Sequence, residues 1–418
     1  MTDFELRAIE SHEINAFASC QAAAFGGRYT PDQLESLAVE LQLDRSLAVF
    51  DGGDLVATTS SYAVPMTLPG LLRCQVAAVT DVSVAPTHRR RGMLNAMMRR
   101  QLDDLRSAGE PVAVLFASEG GIYGRYGYGP ATFGARYVLD KRAARVPAPV
   151  AAPSDSSLDC SGSVHLVELA QAAEAFPAVF SAYVPTRVGE LDRPQGEWAE
   201  MLGNPNGSRE DERHRFYVCY EQAGHIDGYA VYRVAGTDPA NHWRRAVFLE
   251  EMCSLSDESY ISLWRYLLGL DLTEELRTRN RPVDEPLRYL LEDQRHLRTT
   301  SWGDRTWVRL VDVGQALALR RYEEHGSLVI EVLDRFCPWN EGRFRLSVDL
   351  DGVGTVEQVE VAPDIALPVE ALGAVYLGGV PFAGMATAGR IAECKQGATR
   401  RADKMFGLRR PPFCTTNF

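Results

Sequence analysis

The sequence predicts a mixed α/β and α+β protein of three domains. One observation is a strand, helix and strand over residues 79–118, in which the first apolar strand turns through a basic segment into an amphipathic helix. A second is a weaker repetition of the same order of elements after the alanine-, proline- and serine-rich stretch at 143–157. A third is the change near Thr306 to short alternating segments followed by helices. We therefore expect domains at 1–150, 151–305 and 306–418.

The segment before residue 79 supplies the first elements of the first domain. Apolar periodicity predicts a strand, two helices and two further strands, in that order, at 6–9, 14–25, 31–43, 46–50 and 55–60. The last two strands flank Asp51-Gly52-Gly53-Asp54, which is a hairpin signal.

The turn His88-Arg89-Arg90-Arg91-Gly92 has the composition of an anion-binding site. A helix N-terminus offers unpaired N–H groups and a partial positive charge, and arginines add fork-shaped donors. The helix that follows is predicted by apolar residues on one face, namely Met93, Leu94, Met97, Met98, Leu102 and Leu105. The turn matches neither a dinucleotide fingerprint nor a Walker loop, so an ordinary nucleotide fold is the weaker interpretation.

The second strand, at 112–118, leads into the glycine- and tyrosine-rich loop GGIYGRYGYGP. Phenols in such loops usually pack and hydrogen-bond, and we assign Tyr126 and Tyr128 to that role. A phosphate-binding turn and a phenol at the two ends of one unit suggest group transfer from a phosphorylated carrier.

The second domain repeats this order without the basic turn. Helices are expected around 166–179 and at 195–201, strands at 215–220, 229–234 and 246–252, and a last helix at 256–269. Ser256 caps that helix and is followed by Asp257 and Glu258, whose charges would repel a pyrophosphate. The third domain reads as strands within 328–334, 342–350 and 356–362, then helices at 369–377 and 399–406.

Composition limits the function classes. The 418 residues carry a net charge of −12, which argues against nucleic-acid binding and suits cationic substrates. The N-terminus has no apolar signal region and no run is long enough to cross a membrane, so we expect a cytoplasmic protein without membrane partners. Cysteines and histidines occur without metal-ligand spacing, and no metal site is predicted.

These motifs resemble those of a known superfamily. Arg89, Gly92 and Leu94 fall on the acetyl-CoA pyrophosphate motif of the Gcn5-related N-acetyltransferases (GNAT), with Leu94 in place of its final glycine or alanine. The longer strings DVSVAPTHRRRG and ASEGGIYGRYGYGPAT closely resemble the Eis branch, whose members acetylate amines of aminoglycosides and other polyamines. The resemblance implies two tandem acetyltransferase folds, the second degenerate and without coenzyme A, then a sterol carrier protein-like domain, in a homohexamer.

The resemblance also implies roles for particular residues. In this family the two central strands diverge and the pantetheine of acetyl-CoA, the co-substrate, lies between them. It implies that Tyr123 is the general acid and that the carboxylate of Phe418 reaches the site as general base. The acetyl-CoA contacts that it implies are Val82, Val84, Arg89, Arg90, Arg91, Gly92, Met93 and Ser118.

Several alternatives stay open from the residues themselves. Asp81, on the first strand, and Glu119, at the end of the second, are also candidate bases. The family often carries an acid before its last residue, whereas Asn417 is neutral here. The acceptor could instead be a protein lysine or N-terminus, and a non-enzymatic lipid carrier or scaffold is the alternative from another class.

Overall fold

The computed structural model describes residues 4–147, 162–202, 215–238 and 243–418. The chain forms two compact units, one of Met1–Thr132 with Arg305–Phe418 and one of Phe133–Asp304. Most of the expected linker, at 148–157, lies outside the described residues.

The first part of the chain has the predicted order of elements. Its strands and helices are β1 Glu5–Ala8, α1 Ile14–Phe25, α2 Pro31–Glu40, β2 Ser46–Asp51, β3 Asp54–Leu68, β4 Leu72–Val84, α3 Met93–Ser107, β5 Val112–Phe116 and β6 Gly129–Pro130. Strands β3 and β4 are longer than predicted, because their antiparallel pairing continues beyond the apolar segments to Leu68 and Leu72.

The second unit contains the weaker repetition of the first domain's elements, which we call the second copy. Its elements are β7 Phe133–Asp140, β8 Ser163–Val167, α4 Leu169–Tyr183, α5 Gln195–Leu202, β9 Arg215–Gln222, β10 His225–Gly236, β11 Arg245–Ser254, α6 Asp257–Gly269, β12 Glu275–Thr278, β13 Arg281–Pro282, α7 Leu287–Leu290 and β14 Leu297–Asp304. Its sheet has the order β13-β7-β12-β11-β10-β9-β8, and β14 pairs with β7. The predicted start of the first helix of this region, at residue 166, was wrong. Residues 163–167 form strand β8, which pairs with β9, and helix α4 begins at Leu169.

The remaining elements belong to the first unit. They are β15 Thr306–Leu310, α8 Val313–Leu319, β16 Gly326–Leu333, β17 Gly342–Val348, β18 Gly354–Gln358, β19 Ile365–Pro368, α9 Val369–Tyr376, α10 Phe382–Thr387, β20 Ala392–Glu393 and α11 Ala398–Phe406. Strands β16 to β20 form a sheet of order β18-β17-β16-β19-β20.

The sheet of the first domain includes a strand from late in the chain. Its order is β1-β2-β3-β4-β5-β15-β6, and β15 runs antiparallel to β5 with Thr306 opposite Phe116. Conversely, β7 pairs with strands of the second unit. Strand β15, expected in the third domain, thus lies in the sheet of the first domain, and β7, expected in the first domain, lies in the sheet of the second unit.

Two glycines allow the third domain to pack closely against this first sheet. A Cβ on Gly129 in β6 would lie 1.9 Å from the carbonyl oxygen of Glu370, and one on Gly373 in α9 would lie 2.2 Å from that of Val308. Backbone thus meets backbone where α9 covers β6 and β15. A side chain at either position would force the helix away.

A buried arginine joins the ends of two helices in the third domain. Arg320 is fully buried and donates hydrogen bonds to the carbonyl oxygens of Tyr376 and Phe406, the last residues of α9 and α11. The partial negative charge of helix C-termini suits a cation, although burial lowers the pKa of this guanidinium. Arg320 therefore fixes the point from which the final segment, 407–418, leaves α11.

Candidate active site

Strands β4 and β5 pair over two residues and then separate. The parallel pairing joins Ala77 to Ala113 and Ala78 to Val114, whereas β4 continues to Val84 and β5 to Phe116. The backbone of residues 79–84 therefore has no partner on β5. We call the opening between these strand ends the β4–β5 cleft.

A β-bulge bends β4 inside this cleft. The register with β3 shifts between Thr58 and Ser60, and Asp81 adopts the left-handed region with a φ of 54°. Bulges change the direction of a strand and release backbone groups from the ladder. Val82 and Val84, the expected pantetheine contacts, are partly buried in the stretch just after the bulge.

The basic turn forms an open cradle at the start of α3. Arg90 and Gly92 both have positive φ, 65° and 87°, and Gly92 caps the helix without a side-chain hydrogen bond. A Cβ on Gly92 would meet nothing within 4 Å, so there is open space at this glycine, which directly precedes the unpaired first-turn amides of α3. Met93 contributes one of these amides while its side chain is buried in the core. These features fit a pyrophosphate.

The three arginines of the cradle differ in their partners. Arg91 forms an ion pair with Asp51 at 3.0 Å, and the Nε2 atom of His88 lies 3.4 Å from the same carboxylate. Arg89 and Arg90 are exposed and form no ion pair among the described residues. Within the part of the chain that the structure describes, no carboxylate competes with a bound anion for these two arginines.

Tyr123 opens a 3-10 helix, Tyr123–Tyr126, that follows β5. Its side chain is 5% exposed, and burial raises the pKa of its phenol to about 12. A hydrogen bond with Ser118 opposes this rise in pKa, and the charge of Glu119 adds to it. Ser118 and Glu119 are themselves exposed. The hydroxyl of Tyr123 is therefore protonated at neutral pH and lies beside two solvent-accessible residues.

The other two tyrosines of this loop pack in the core. The Tyr126 ring lies 5.0 Å from that of Phe336, and the Tyr128 ring lies edge-on to Tyr123 at 6.1 Å. The Tyr128 hydroxyl is buried without a hydrogen-bond partner among the described residues.

Phe418 reaches the β4–β5 cleft. Its ring centroid lies 4.6 Å from that of Phe116, the last residue of β5, and 6.0 Å from that of Tyr62 on β3. Tyr62 is paired with Ala78, the last residue of β4 that pairs with β5. Sequence reasoning missed both aromatic contacts, because no local pattern relates positions so far apart in the chain.

The two alternative bases have different surroundings. Asp81 accepts hydrogen bonds from Gln21 Nε2 at 2.8 Å and from Ser60 Oγ at 2.5 Å. Burial raises the pKa of Asp81, and the hydrogen bond from Ser60 partly offsets the rise. Glu119 is exposed close to Tyr123.

The corresponding end of β11 in the second unit is filled by side chains of that unit. Arg281 donates to the carbonyl oxygen of Met252 at 2.8 Å, on the part of β11 beyond its pairing with β12. Glu251 is buried and bonded to Arg193 through both carboxylate oxygens, at 2.9 and 2.7 Å. Ser256 caps α6, and two acids occupy its first turn. The second copy thus has neither an open strand edge nor a basic turn at this end.

The described residues contain no group of three or more histidine, cysteine, aspartate or glutamate side chains arranged to hold a metal ion. Within the same ranges, no helix combines the length and the apolar character that a membrane crossing requires.

Comparison with known proteins identifies the class. Family models of the acetyltransferase (GNAT) domain match residues 5–131 and 189–310, and the sterol carrier protein domain matches 313–415. The fold is therefore two acetyltransferase domains and a sterol carrier protein-like domain, as predicted, and the protein is an N-acetyltransferase. GNAT enzymes use acetyl-CoA as the acyl donor.

Individual relatives identify the branch. The chain is 40% identical over 419 residues to an uncharacterized N-acetyltransferase of Streptomyces coelicolor, covering 99% of each chain. It is 34% identical to the N-acetyltransferase Eis of Mycobacterium tuberculosis over 92% of each chain. The crystal structure of Eis1 from Mycobacterium abscessus matches with a TM-score of 0.85 and 35% identity over the full length of both chains. The chain belongs to the Eis family of N-acetyltransferases, as its motifs indicated.

Proposed function

We propose that this enzyme transfers the acetyl group of acetyl-CoA directly to a primary amine of an aminoglycoside or another polyamine. The observation that carries the proposal is the contact of Phe418 with Phe116 and Tyr62 at the β4–β5 cleft. The last residue of the sequence is thereby next to the strands that would hold the donor. Direct transfer needs donor, acid and base at one site, without a covalent intermediate on the protein.

The donor half of the site follows from the cradle and the cleft. Acetyl-CoA supplies a thioester carbonyl for attack. The arginines Arg89, Arg90 and Arg91 and the amides of Gly92 and Met93 would hold the pyrophosphate, because they combine charge with unpaired N–H groups. The backbone of Val82 and Val84 would bind pantetheine, since it has no β5 partner. Ser118 would contact the donor near Tyr123.

The acid and the base come from different ends of the chain. Tyr123 is the general acid toward the departing sulfur, because its phenol stays protonated. The carboxylate of Phe418 accepts the proton that the attacking amine loses, directly or through water. Asp81 is a less suitable base, since Gln21 and Ser60 already donate to its two oxygens.

Support for the substrate class comes from family resemblance and from charge. The excess of 56 acidic over 44 basic side chains favours the approach of cationic amines. We extend the proposal to a cytoplasmic location and a homohexameric assembly, both on family resemblance.

The substrate test is a panel that measures release of the coenzyme A thiol with aminoglycosides, spermidine and a lysine peptide. We expect turnover with the first two classes. Turnover of the peptide alone would replace the proposed substrate class by protein acetylation.

The donor test compares two arginines by calorimetry with acetyl-CoA. Arg89→Gln should weaken binding about tenfold through loss of one phosphate contact. The matched control is Arg100→Gln on α3, whose guanidinium is bound to Asp104 at 2.9 Å and should leave affinity unchanged. Equal affinity of both variants would contradict the proposed cradle.

The base test extends the protein beyond Phe418 by a few residues, which turns its carboxylate into an amide. The extension should abolish most of the turnover and leave acetyl-CoA affinity intact. Full activity with an unchanged pH profile would transfer the role to Asp81 or Glu119.

A further inference from the structure

Arg305 lies where the end of the chain meets the β4–β5 cleft. It directly precedes β15, and the pairing of Thr306 with Phe116 sets it beside the end of β5. Its backbone N–H donates to the carbonyl oxygen of Thr132 at 2.9 Å, which holds the start of β15 in place. The position of its side chain thus follows from the register of the first sheet.

Two of the contacts of the Arg305 guanidinium converge on Phe418. Its central carbon lies 4.7 Å from the centroid of the Phe116 ring, within the range of a cation–π contact. Its Nη2 atom donates to the side-chain oxygen of Asn417 at 2.8 Å. Since Phe116 is also the ring against which Phe418 packs, one arginine contacts both the residue before Phe418 and its aromatic neighbour.

The segment that leads to this point is held by burial almost to its end. Phe413, Cys414 and Thr416 are all buried, whereas Asn417 is exposed and Phe418 is partly exposed. Chain ends fray unless specific contacts hold them. The contacts of Arg305 and Phe116 therefore act on the two residues that burial of the segment does not hold.

We propose that Arg305 is a positioning residue that holds Asn417 and Phe418 at the mouth of the β4–β5 cleft. This inference rests on the proposed function, in which the Phe418 carboxylate receives the proton of the amine. Arg305 acts on that proton transfer through Asn417 and Phe116 and touches neither the donor nor the amine in this proposal. A planar, fork-shaped cation suits the role because it can stack on a ring and donate a hydrogen bond at the same time.

Asn417, which departs from the family pattern, has a function in this arrangement. The neutral Asn417 is the hydrogen-bond partner of a cation, so the contact depends on its amide oxygen and needs no acid at that position. A lysine in place of Arg305 could still donate to this oxygen but would lose the planar contact with Phe116. We therefore expect Arg305→Lys to retain part of the effect and Arg305→Met to retain none.

The first experiment measures position without activity. The protein, produced with Phe418 as its last residue, is treated with carboxypeptidase A, which removes C-terminal aromatic residues, and release of phenylalanine is followed by mass spectrometry. Arg305→Met should release Phe418 at least about tenfold faster than the wild type, because the local opening that exposes it becomes easier. The matched control is Arg345→Met, which removes an arginine paired with Glu357 at 2.7 Å in the third domain and should leave the release rate unchanged.

The second experiment measures the consequence for catalysis. Arg305→Met should lower kcat roughly ten- to hundredfold, as displacement of a catalytic group does, while the Kd of acetyl-CoA and the KM of the amine stay within about twofold. Arg305→Lys should recover part of kcat. Asn417→Ala removes the hydrogen-bond acceptor of Arg305 and leaves the arginine in place. If Arg305→Met fails to fold, this variant tests the positioning role instead.

Each outcome is decisive. Unchanged release of Phe418 in both Arg305→Met and Asn417→Ala would overturn the positioning role. Faster release with unchanged kcat would overturn its importance for catalysis. A wild type that acetylates no amine would refute the proposed function, while the release of Phe418 would still decide whether Arg305 holds the chain end.

Discussion

The hydroxyl of Tyr123 is the feature of the site whose contribution can be worked out most fully. The thiol of coenzyme A has a pKa near 8.5 by analogy with cysteine, whereas the pKa of Tyr123 is about 12. Complete transfer of the phenolic proton to a free thiolate is therefore uphill by about 3.5 pKa units, or about 5 kcal/mol. As the proposed general acid, Tyr123 would consequently stabilise the departing sulfur mainly through a charge-assisted hydrogen bond.

The strength of this hydrogen bond determines how much kcat should fall when the hydroxyl is removed. A hydrogen bond to a charged group contributes about 1.5–3 kcal/mol, so Tyr123→Phe should lower kcat about ten- to hundredfold. A loss of thousandfold or more would instead indicate full proton transfer. Acetyl-CoA affinity should stay within about twofold, because the hydrogen bond strengthens only as charge develops on sulfur.

The assay is thiol release at saturating amine between pH 6 and 10, with Tyr126→Phe as the matched control. Tyr126 lies in the same loop, is equally buried, and packs against Phe336. In the proposed role the protonated form of Tyr123 is the active one, so its contribution would be lost only as the pH rises through its pKa of about 12. The rate profile between pH 6 and 10 should therefore show no descending limb from this residue. A defect below threefold, or an equal defect in Tyr126→Phe, would refute the assignment.

Three further predictions concern stability and the base. Asp81→Asn should keep kcat within about threefold, and a folded but inactive variant would make Asp81 the base. Because burial raises the pKa of Asp81, the substitution should also raise the melting temperature at pH 7. This gain should vanish at a pH below the usual aspartate pKa, where the wild-type carboxyl is protonated in both the folded and the unfolded state. Tyr128→Phe removes a hydroxyl that is buried without a hydrogen-bond partner among the described residues, and it should raise the free energy of unfolding by about 1 kcal/mol. Urea titration measures this change, and a decrease of about 1 kcal/mol would contradict the prediction. Gly129→Ala places a methyl group 1.9 Å from the Glu370 carbonyl oxygen and should lower the free energy of unfolding by about 3 kcal/mol or more. The control Gly121→Ala, whose Cβ would have nothing within 4 Å, should lower it little. Similar urea midpoints for the two variants would show that α9 moves away without a large loss of stability.

Local patterns predicted the elements whose signals lie in consecutive residues. Helix α1 spans the predicted residues 14–25 and is followed by the left-handed Gly26. Helix α3 begins at Met93 and ends at Ser107, as its apolar spacing predicts, and the left-handed glycines Gly92 and Gly109 flank it. The basic turn was identified in the same way and Tyr123 through the family resemblance, although the roles of both stay predictions. The domain limits 1–150, 151–305 and 306–418 also stay predictions.

What the sequence could not predict depends on pairing between distant segments. Strand β15 enters the first sheet beside β5 only because residues 306–310 find antiparallel partners at 112–116. The aromatic contacts of Phe418 depend on that same sheet and on a chain segment hundreds of positions later than Tyr62. Periodicity within a window carries no information about such contacts.

The location of Phe418 follows from a series of contacts that begins far from the cleft. Gly129 and Gly373 let α9 lie directly on the first sheet, and Arg320 then ties the end of α9 to the end of α11. Because the final segment starts at that point, the sheet that carries Tyr123 also determines where the chain end lies. Removal of any of these contacts should therefore displace Phe418, the proposed base, relative to Tyr123, the proposed acid, without touching either residue. This dependence gives the third domain a structural role in the proposed site.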